Sequence, residues 1–241
     1  MSMYRYSRKV FRNFLKIERK IRSDSMLCPV CGNRMNESTN RCSRFPICGY
    51  AQVGENKDTN SYILFDLETT GFNREKDRIT EIGAIRVVNG EIVDSFSQLV
   101  NPGVDENGYP IYISNRIMNL TGITNQMVAD KPTETEVVPK FLEWIGDEVC
   151  FAGQNIIKFD LPFLKVAAKR AGCKFSPEYA IDVLVEAKAN LDLKKYNQES
   201  LAAYFGFSYN AHRAVDDAEA CYKILQNLMK VANNPIVPKR V

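Results

Sequence analysis

The amino-acid sequence predicts an α/β protein: a mixed sheet flanked by helices, preceded by a small separate module. Three observations carry this reading. In SYILFDLETTG, Ile63, Phe65 and Leu67 alternate with Leu64, Asp66 and Glu68, the pattern of a core strand that ends at Gly71. Two more strands, about 79–88 and 91–100, flank Asn89-Gly90, the favoured pair for a tight type I′ hairpin. Helical patterns then follow with one strand-to-helix step between them, so strands come first and helices after.

Residues 1–24 contain YRYSRKVFRNFLKIERKIR, in which Val10, Phe14, Ile17 and Ile21 recur at helical spacing among Arg and Lys. This predicts a basic amphipathic helix, either a solvated face packed on a neighbour or an arm for nucleic acid. A four-cysteine module is expected over 25–52, and the polar stretch AQVGENKDTN makes a linker. The main domain is expected over 60–232. One helix starts near Thr133 or Thr135, and Pro139 favours the later start because proline is tolerated near a first turn. After an apolar strand at 149–153, Asp160 can cap a helix whose first turn holds Pro162. Further helices are expected at about 182–190, 199–205 and 213–231. The last segment, 233–241, has two prolines and no periodicity, so a flexible tail is expected.

The net charge of +3 conceals an asymmetry. Residues 1–57 hold 12 Lys and Arg against 4 Asp and Glu, whereas 58–241 hold 20 against 25. A basic arm suits a polyanion and an acidic domain suits cations. No apolar run approaches a membrane span, and the basic N-terminus lacks the apolar core of a secretory signal. A cytoplasmic location with no membrane partner is therefore the expectation. Cys150, Cys173 and Cys221 sit in apolar or helical contexts and read as core thiols.

The chemistry-bearing residues are acidic. Asp66 and Glu68 are two apart on a strand, so their side chains leave the same face. Two carboxylates side by side near a core are costly unless a cation lies between them. His212, the only histidine, precedes Asp217 by five positions. On a continuous helix that offset is about 140°, so they converge only if His212 stands before the helix and Asp217 in its first turns. Asn155 and Asp160 repeat the spacing across a strand-to-helix turn. Four carboxylates and one imidazole in these settings are the parts of a two-metal phosphodiester-cleaving site.

FDLETTG, then NIIKFD, then HRAVDD, in that order, resemble the three exonuclease motifs of the DEDDh superfamily. More narrowly, residues 61–231, with LTGIT at 120–124, resemble the epsilon proofreading subunits of bacterial DNA polymerase III and the exonuclease domains of PolC-type polymerases. The resemblance implies an RNase H-like fold, with a five-stranded mixed sheet and helices on both sides, and a 3′→5′ exonuclease. By motif, it implies that Asp66, Glu68, Asp160 and Asp217 bind two Mg²⁺ or Mn²⁺ ions and that His212 takes a proton from the attacking water. It further implies that Thr69, Leu120 and Ile123 contact the terminal nucleotide, with Asn155 in support.

Cys28-x2-Cys31-x10-Cys42-x5-Cys48 supplies four thiolates in two pairs, as one structural tetrahedral Zn²⁺ requires. With CSRFPICGY, this pattern resembles the small zinc ribbons at the C-termini of bacterial type I topoisomerases, which bind single-stranded DNA. Arg34, Arg41, Arg44, Phe45 and Tyr50 offer phosphate contacts and base stacking; a structural knob or a protein-docking surface is the other reading. The leading expectation is an exonuclease on single-stranded DNA 3′ ends, in proofreading or repair, associated with a DNA polymerase or repair complex. An exoribonuclease trimming RNA 3′ ends is the first alternative, and a non-catalytic nucleic-acid-binding protein the second.

Overall fold

A computed structural model describes residues 35–36, 41–42 and 61–241, apart from 147, 149 and 212. The chain divides into two compact units, Met1–Lys57 and Asp58–Val241. In the first unit, β1 (Met35–Asn36) pairs antiparallel with β2 (Arg41–Cys42), Met35 opposite Cys42. The basic helix and the zinc-ribbon cysteines Cys28, Cys31 and Cys48 lie outside the described residues, as do any contacts made by the side chain of Cys42.

The second unit is built on a six-stranded sheet in the order β5-β4-β3-β6-β7-β8. These strands are β3 (Tyr62–Thr69), β4 (Ile79–Val88), β5 (Glu91–Leu99), β6 (Cys150–Gly153), β7 (Tyr179–Asp182) and β8 (Lys239–Arg240). The β5-β4-β3 meander is antiparallel, β3-β6-β7 runs parallel, and β8 returns antiparallel on β7. Asn89 and Gly90 both have positive φ (53° and 82°), as the expected type I′ hairpin requires.

Seven helices are described: α1 (Asn115–Thr121), α2 (Asn125–Val128), α3 (Glu134–Ile145), α4 (Asp160–Arg170), α5 (Val183–Asn190), α6 (Gln198–Tyr204) and α7 (Ala214–Val231). The alternation along β3 divides them between two faces. Ile63, Phe65 and Leu67 pack against α3 and α4, while Tyr62 and Leu64 pack against α5, α6 and α7. A smaller cluster of Ile113, Ile117, Ile123 and Val128 closes α1 and α2 onto Leu99.

Three expectations are corrected. The resemblance implied five strands, and the sheet has six. The sixth is the segment expected to be a flexible tail: Ile236 is buried, β8 covers the free edge of β7, and Lys239 Nζ meets Glu186 Oε1 at 2.7 Å. An unpaired edge leaves backbone donors and acceptors open, and β8 pairs with the first two residues of β7, Tyr179 and Ala180. Next, α3 takes the earlier start and carries Pro139 inside it. The Thr133 N–H donates to Glu136 Oε2 at 2.7 Å, and buried Glu134 is gripped by Arg170 through Nε–Oε2 (2.7 Å) and Nη2–Oε1 (2.8 Å). These ties hold the first turn although Pro139 has no N–H to give. Finally, Phe159 rather than Asp160 occupies the cap position of α4, and Asp160 is its first residue.

β4 and the start of α7 approach each other closely at Gly83. A Cβ built on Gly83 would lie 2.0 Å from the carbonyl carbon of Ala214 and 2.1 Å from the nitrogen of Val215. Only a residue without a side chain lets the helix backbone lie on the strand here. Gly83→Ala should therefore push α7 off the sheet and cost about 1–3 kcal/mol or more, the usual range for overpacking. Urea unfolding followed through Trp144 would measure this, and an unchanged midpoint would contradict the tight contact.

Candidate active site

Asp66 and Glu68 continue the β3 face that carries Tyr62 and Leu64, so they point toward α7 at the strand's C-terminal end. Asp217 lies in the first turn of α7. One ligand oxygen from each of these three residues lies within 4.8 Å of the others. Asp160 faces the same cavity, which is open and about 380 Å³ in volume. His212, the fifth expected member, lies outside the described residues.

Local structure explains each placement. The parallel pairing of β6 with β3 covers Ile63 and Leu64 only, and β6 stops at Gly153. The Leu67 N–H, past that pairing, donates to Asp160 Oδ1 at 3.1 Å. The turn leading to Asp160 passes through Asn155 at φ 58°, a left-handed conformation that asparagine tolerates. Asp182 steadies that turn by accepting the Ile157 N–H at 3.3 Å, and its other oxygen caps α5 through Leu184 and Val185. Buried Glu81, opposite Glu68 across the β3–β4 pair, accepts from Arg213 Nη2 (3.0 Å) and from the Ala214 N–H (3.1 Å). That clamp fixes the start of α7 one turn before Asp217.

The electrostatics favour a cation. Burial raises Asp66 well above the usual carboxylate range, and its neighbours Asp160, Asp217 and Glu68 raise it further. Burial also raises Asp160, partly opposed by its bond from Leu67. Glu68 is pushed up to about 8, first by burial and then by Asp217 and Glu81. Among the described residues lining the cavity there is no Lys or Arg. An all-oxygen set of crowded carboxylates fits hard divalent ions such as Mg²⁺ or Mn²⁺.

The expected nucleotide contacts separate. Asn155 lines the cavity; Thr69, Leu120 and Ile123 do not. Thr69 is buried and donates its hydroxyl to the Gly71 carbonyl at 2.6 Å, and Ile123 is fully buried in the α1–α2 cluster. Leu120 is about half exposed on α1. Several site residues went unread in the sequence. Glu81 had a signal, since a lone carboxylate within the apolar strand ITEIGAI needs a partner. Gln198, Tyr209 and Phe72, which also line the cavity, had none.

Fold and site define an α/β domain with an acidic pocket at the C-terminal edge of its sheet. The chain belongs to the exonuclease family: the exonuclease family model, RNase_T, matches residues 63–225. It is 37% identical to a DNA polymerase III subunit epsilon of Aquifex aeolicus over 73% of this chain and 86% of that protein. It is 40% identical to a PolC-type DNA polymerase III of Clostridium perfringens over 69% of this chain, which spans only 11% of that much longer protein. Solved structures share the fold. Exonuclease X in complex with 5′ overhanging duplex DNA matches with a TM-score of 0.55 at 24% identity, over 73% of this chain and 95% of that one. Exonuclease I of E. coli in complex with a dA16 oligonucleotide gives 0.62 at 20% identity, over 72% of this chain and 41% of that one.

The raised Glu68 makes a prediction whose sign is fixed. Between its ordinary value of 4.5 and about 8, the folded protein keeps a proton that the unfolded chain has lost. This contribution to stability is full below 4.5 and is lost as the pH rises through 8. Asp66 and Asp160 act in the same direction. In chelator, the melting temperature should fall from pH 5 to pH 9, and the gain on adding Mn²⁺ should grow with pH. A gain independent of pH would mean that Mn²⁺ binds elsewhere.

Proposed function

We propose that this chain is a metal-dependent 3′→5′ exonuclease that removes nucleoside 5′-monophosphates from single-stranded DNA ends, in proofreading or repair. The observation that carries it is the meeting of Asp66, Glu68, Asp160 and Asp217 at one cavity in a chain of the exonuclease family. These four residues would hold the divalent ions. Bound there, a pair of such ions supplies an ionised water and neutralises charge at the phosphorus and the leaving oxygen.

The chain's own residues do the rest. His212 takes the proton of the attacking water, a role imidazole can fill near neutral pH. The next two residues, Arg213 and Ala214, are the ones Glu81 anchors. Asn155 offers a polar contact from the cavity wall. Phe72 is 69% exposed at the cavity rim, edge-on to Phe159 at 6.2 Å between centroids. An exposed ring beside the site gives an unpaired base a stacking surface, which supports a single-stranded substrate. The similarity to a polymerase III epsilon subunit supports a polymerase as partner.

The test is incubation of 5′-labelled single- and double-stranded DNA and RNA oligomers with Mg²⁺, Mn²⁺ or chelator. Single-stranded DNA should shorten stepwise to mononucleotides with metal and stay intact with chelator. Asp66→Ala should lower turnover by more than about 100-fold, the most that loss of an outer partner of a metal ligand typically costs. Near-normal turnover in that variant would overturn the assignment, and faster loss of RNA would move the substrate to RNA.

Cys28, Cys31, Cys42 and Cys48 are assigned to one structural Zn²⁺, and residues 1–57 to holding the substrate strand. Deleting residues 1–57 should leave cleavage of short oligomers intact but weaken binding and flatten its dependence on salt, because fewer phosphate contacts release fewer counterions. An unchanged salt slope would remove this segment from substrate binding.

A further inference from the structure

Asp217 faces two other carboxylates, Asp66 and Glu68, across the cavity. A restraint on its side chain comes from a different helix. Gln198 is only 9% exposed in the first turn of α6, yet it lines the cavity. Its Nε2 donates to the backbone carbonyl of Asp217 at 2.8 Å and to Asp217 Oδ1 at 3.1 Å. One amide group thus fixes both the position of the Asp217 backbone and the rotation of its carboxylate. The half-buried phenol of Tyr209 lines the same cavity and interacts with both Asp217 and Gln198.

Building on the cation-site reading above, we propose that Gln198, with Tyr209 beside it, is a positioning residue for the cation site: its buried amide holds one carboxylate oxygen of Asp217 so that the group stays turned toward Asp66 and Glu68. The energetic logic is one of preorganisation. Without a cation, repulsion from Asp66 and Glu68 favours swinging Asp217 outward, and a cation would have to pay back that rotation on binding. Donors from Gln198 and Tyr209 oppose the swing by holding the carboxylate in place. Outer partners of metal ligands act in this way elsewhere, and their loss typically costs 10–100-fold in metal affinity. A neutral amide suits the place, because a lysine there would compete with the cation and a glutamate would add to the repulsion.

The experiment is Mn²⁺ binding to the full-length chain, followed by electron paramagnetic resonance and calorimetry, in wild type and Gln198→Met. Methionine has similar length and volume but no donor. The Kd for Mn²⁺ should rise about 10–100-fold. At saturating Mn²⁺, the KM for a single-stranded oligonucleotide should be unchanged. A Kd equal to wild type overturns the proposal. Should Gln198→Met not fold, Tyr209→Phe removes a single hydroxyl and should still weaken binding, by about 10-fold; an unchanged Kd there overturns it equally. Asp217→Asn separates this inference from the one beneath it. If Asp217→Asn loses Mn²⁺ while Gln198→Met does not, only the positioning role falls. If Asp217→Asn also binds Mn²⁺ normally, the cation site itself is wrong.

Discussion

Mutual repulsion among four carboxylates is the constraint around which this domain is arranged. Asp66, Glu68, Asp160 and Asp217 share a cavity that no described Lys or Arg lines. At separations of a few ångströms, such charges cost several kcal/mol in a partly buried setting, roughly 4 kcal/mol for one pair at an effective dielectric of 20. Each residue is therefore held by something outside the cluster. Asp66 and Glu68 are fixed by the strand that carries them, Asp160 by the Leu67 N–H, and Asp217 by Gln198 and the clamp at the start of its helix. Glu81 is also a carboxylate but does not join them. Its oxygens are taken up by Arg213 and Ala214, so its charge is spent on architecture.

The place of the cavity follows from where backbone pairing ends. β6 is four residues long and pairs with β3 only at Ile63 and Leu64, so beyond that point the β6 side of β3 has no strand beside it. A side chain can reach the strand's backbone there, and Asp160 does. On the other flank, β4 continues along β3, but Gly83 leaves its face bare opposite Asp66 and the first turn of α7 fills that space. One strand that stops early and one residue without a side chain together admit α4 and α7 to the same end of β3. This is the general preference of α/β sheets for sites at the carboxyl ends of strands, produced here by one strand end and one glycine.

Much of this could be read from the sequence, and the parts that could not share a cause. The β3 strand, the β4–β5 hairpin and the acidic spacing were legible because their signals are local: period-two alternation, a turn dipeptide and a fixed offset. Asp160 was legible as a residue at a helix start but not in its use, since a capping carboxylate and one that reaches across to Leu67 look alike in sequence. Pro139 misled because the ties that compensate for it, from Glu136 and Arg170, involve a partner 36 residues from Glu134. The last strand was invisible, as Lys239 and Arg240 carry no periodicity and pair only because β7 offers an edge. Gln198 shows the limit most clearly. An isolated glutamine in a polar stretch has no signature, and its meaning depends on a residue 19 positions away.

The charge distribution ties the site to its proposed substrate. Residues 58–241 carry an acid excess, 25 Asp and Glu against 20 Lys and Arg, and the cavity concentrates part of it. Such a surface repels a phosphate backbone until divalent ions enter, so the proposed substrate binding is contingent on cation binding rather than merely followed by chemistry. Residues 1–57 have the opposite balance, 12 against 4, the sign that suits a phosphate backbone without any cation in the cavity. In the proposed division of work, attraction by the first unit would raise the local concentration of strand, and the second would admit an end to cleavage only when its carboxylates are neutralised. The acid excess that would be a liability in a simple nucleic-acid-binding protein is, in this division, what makes the cavity depend on its ions.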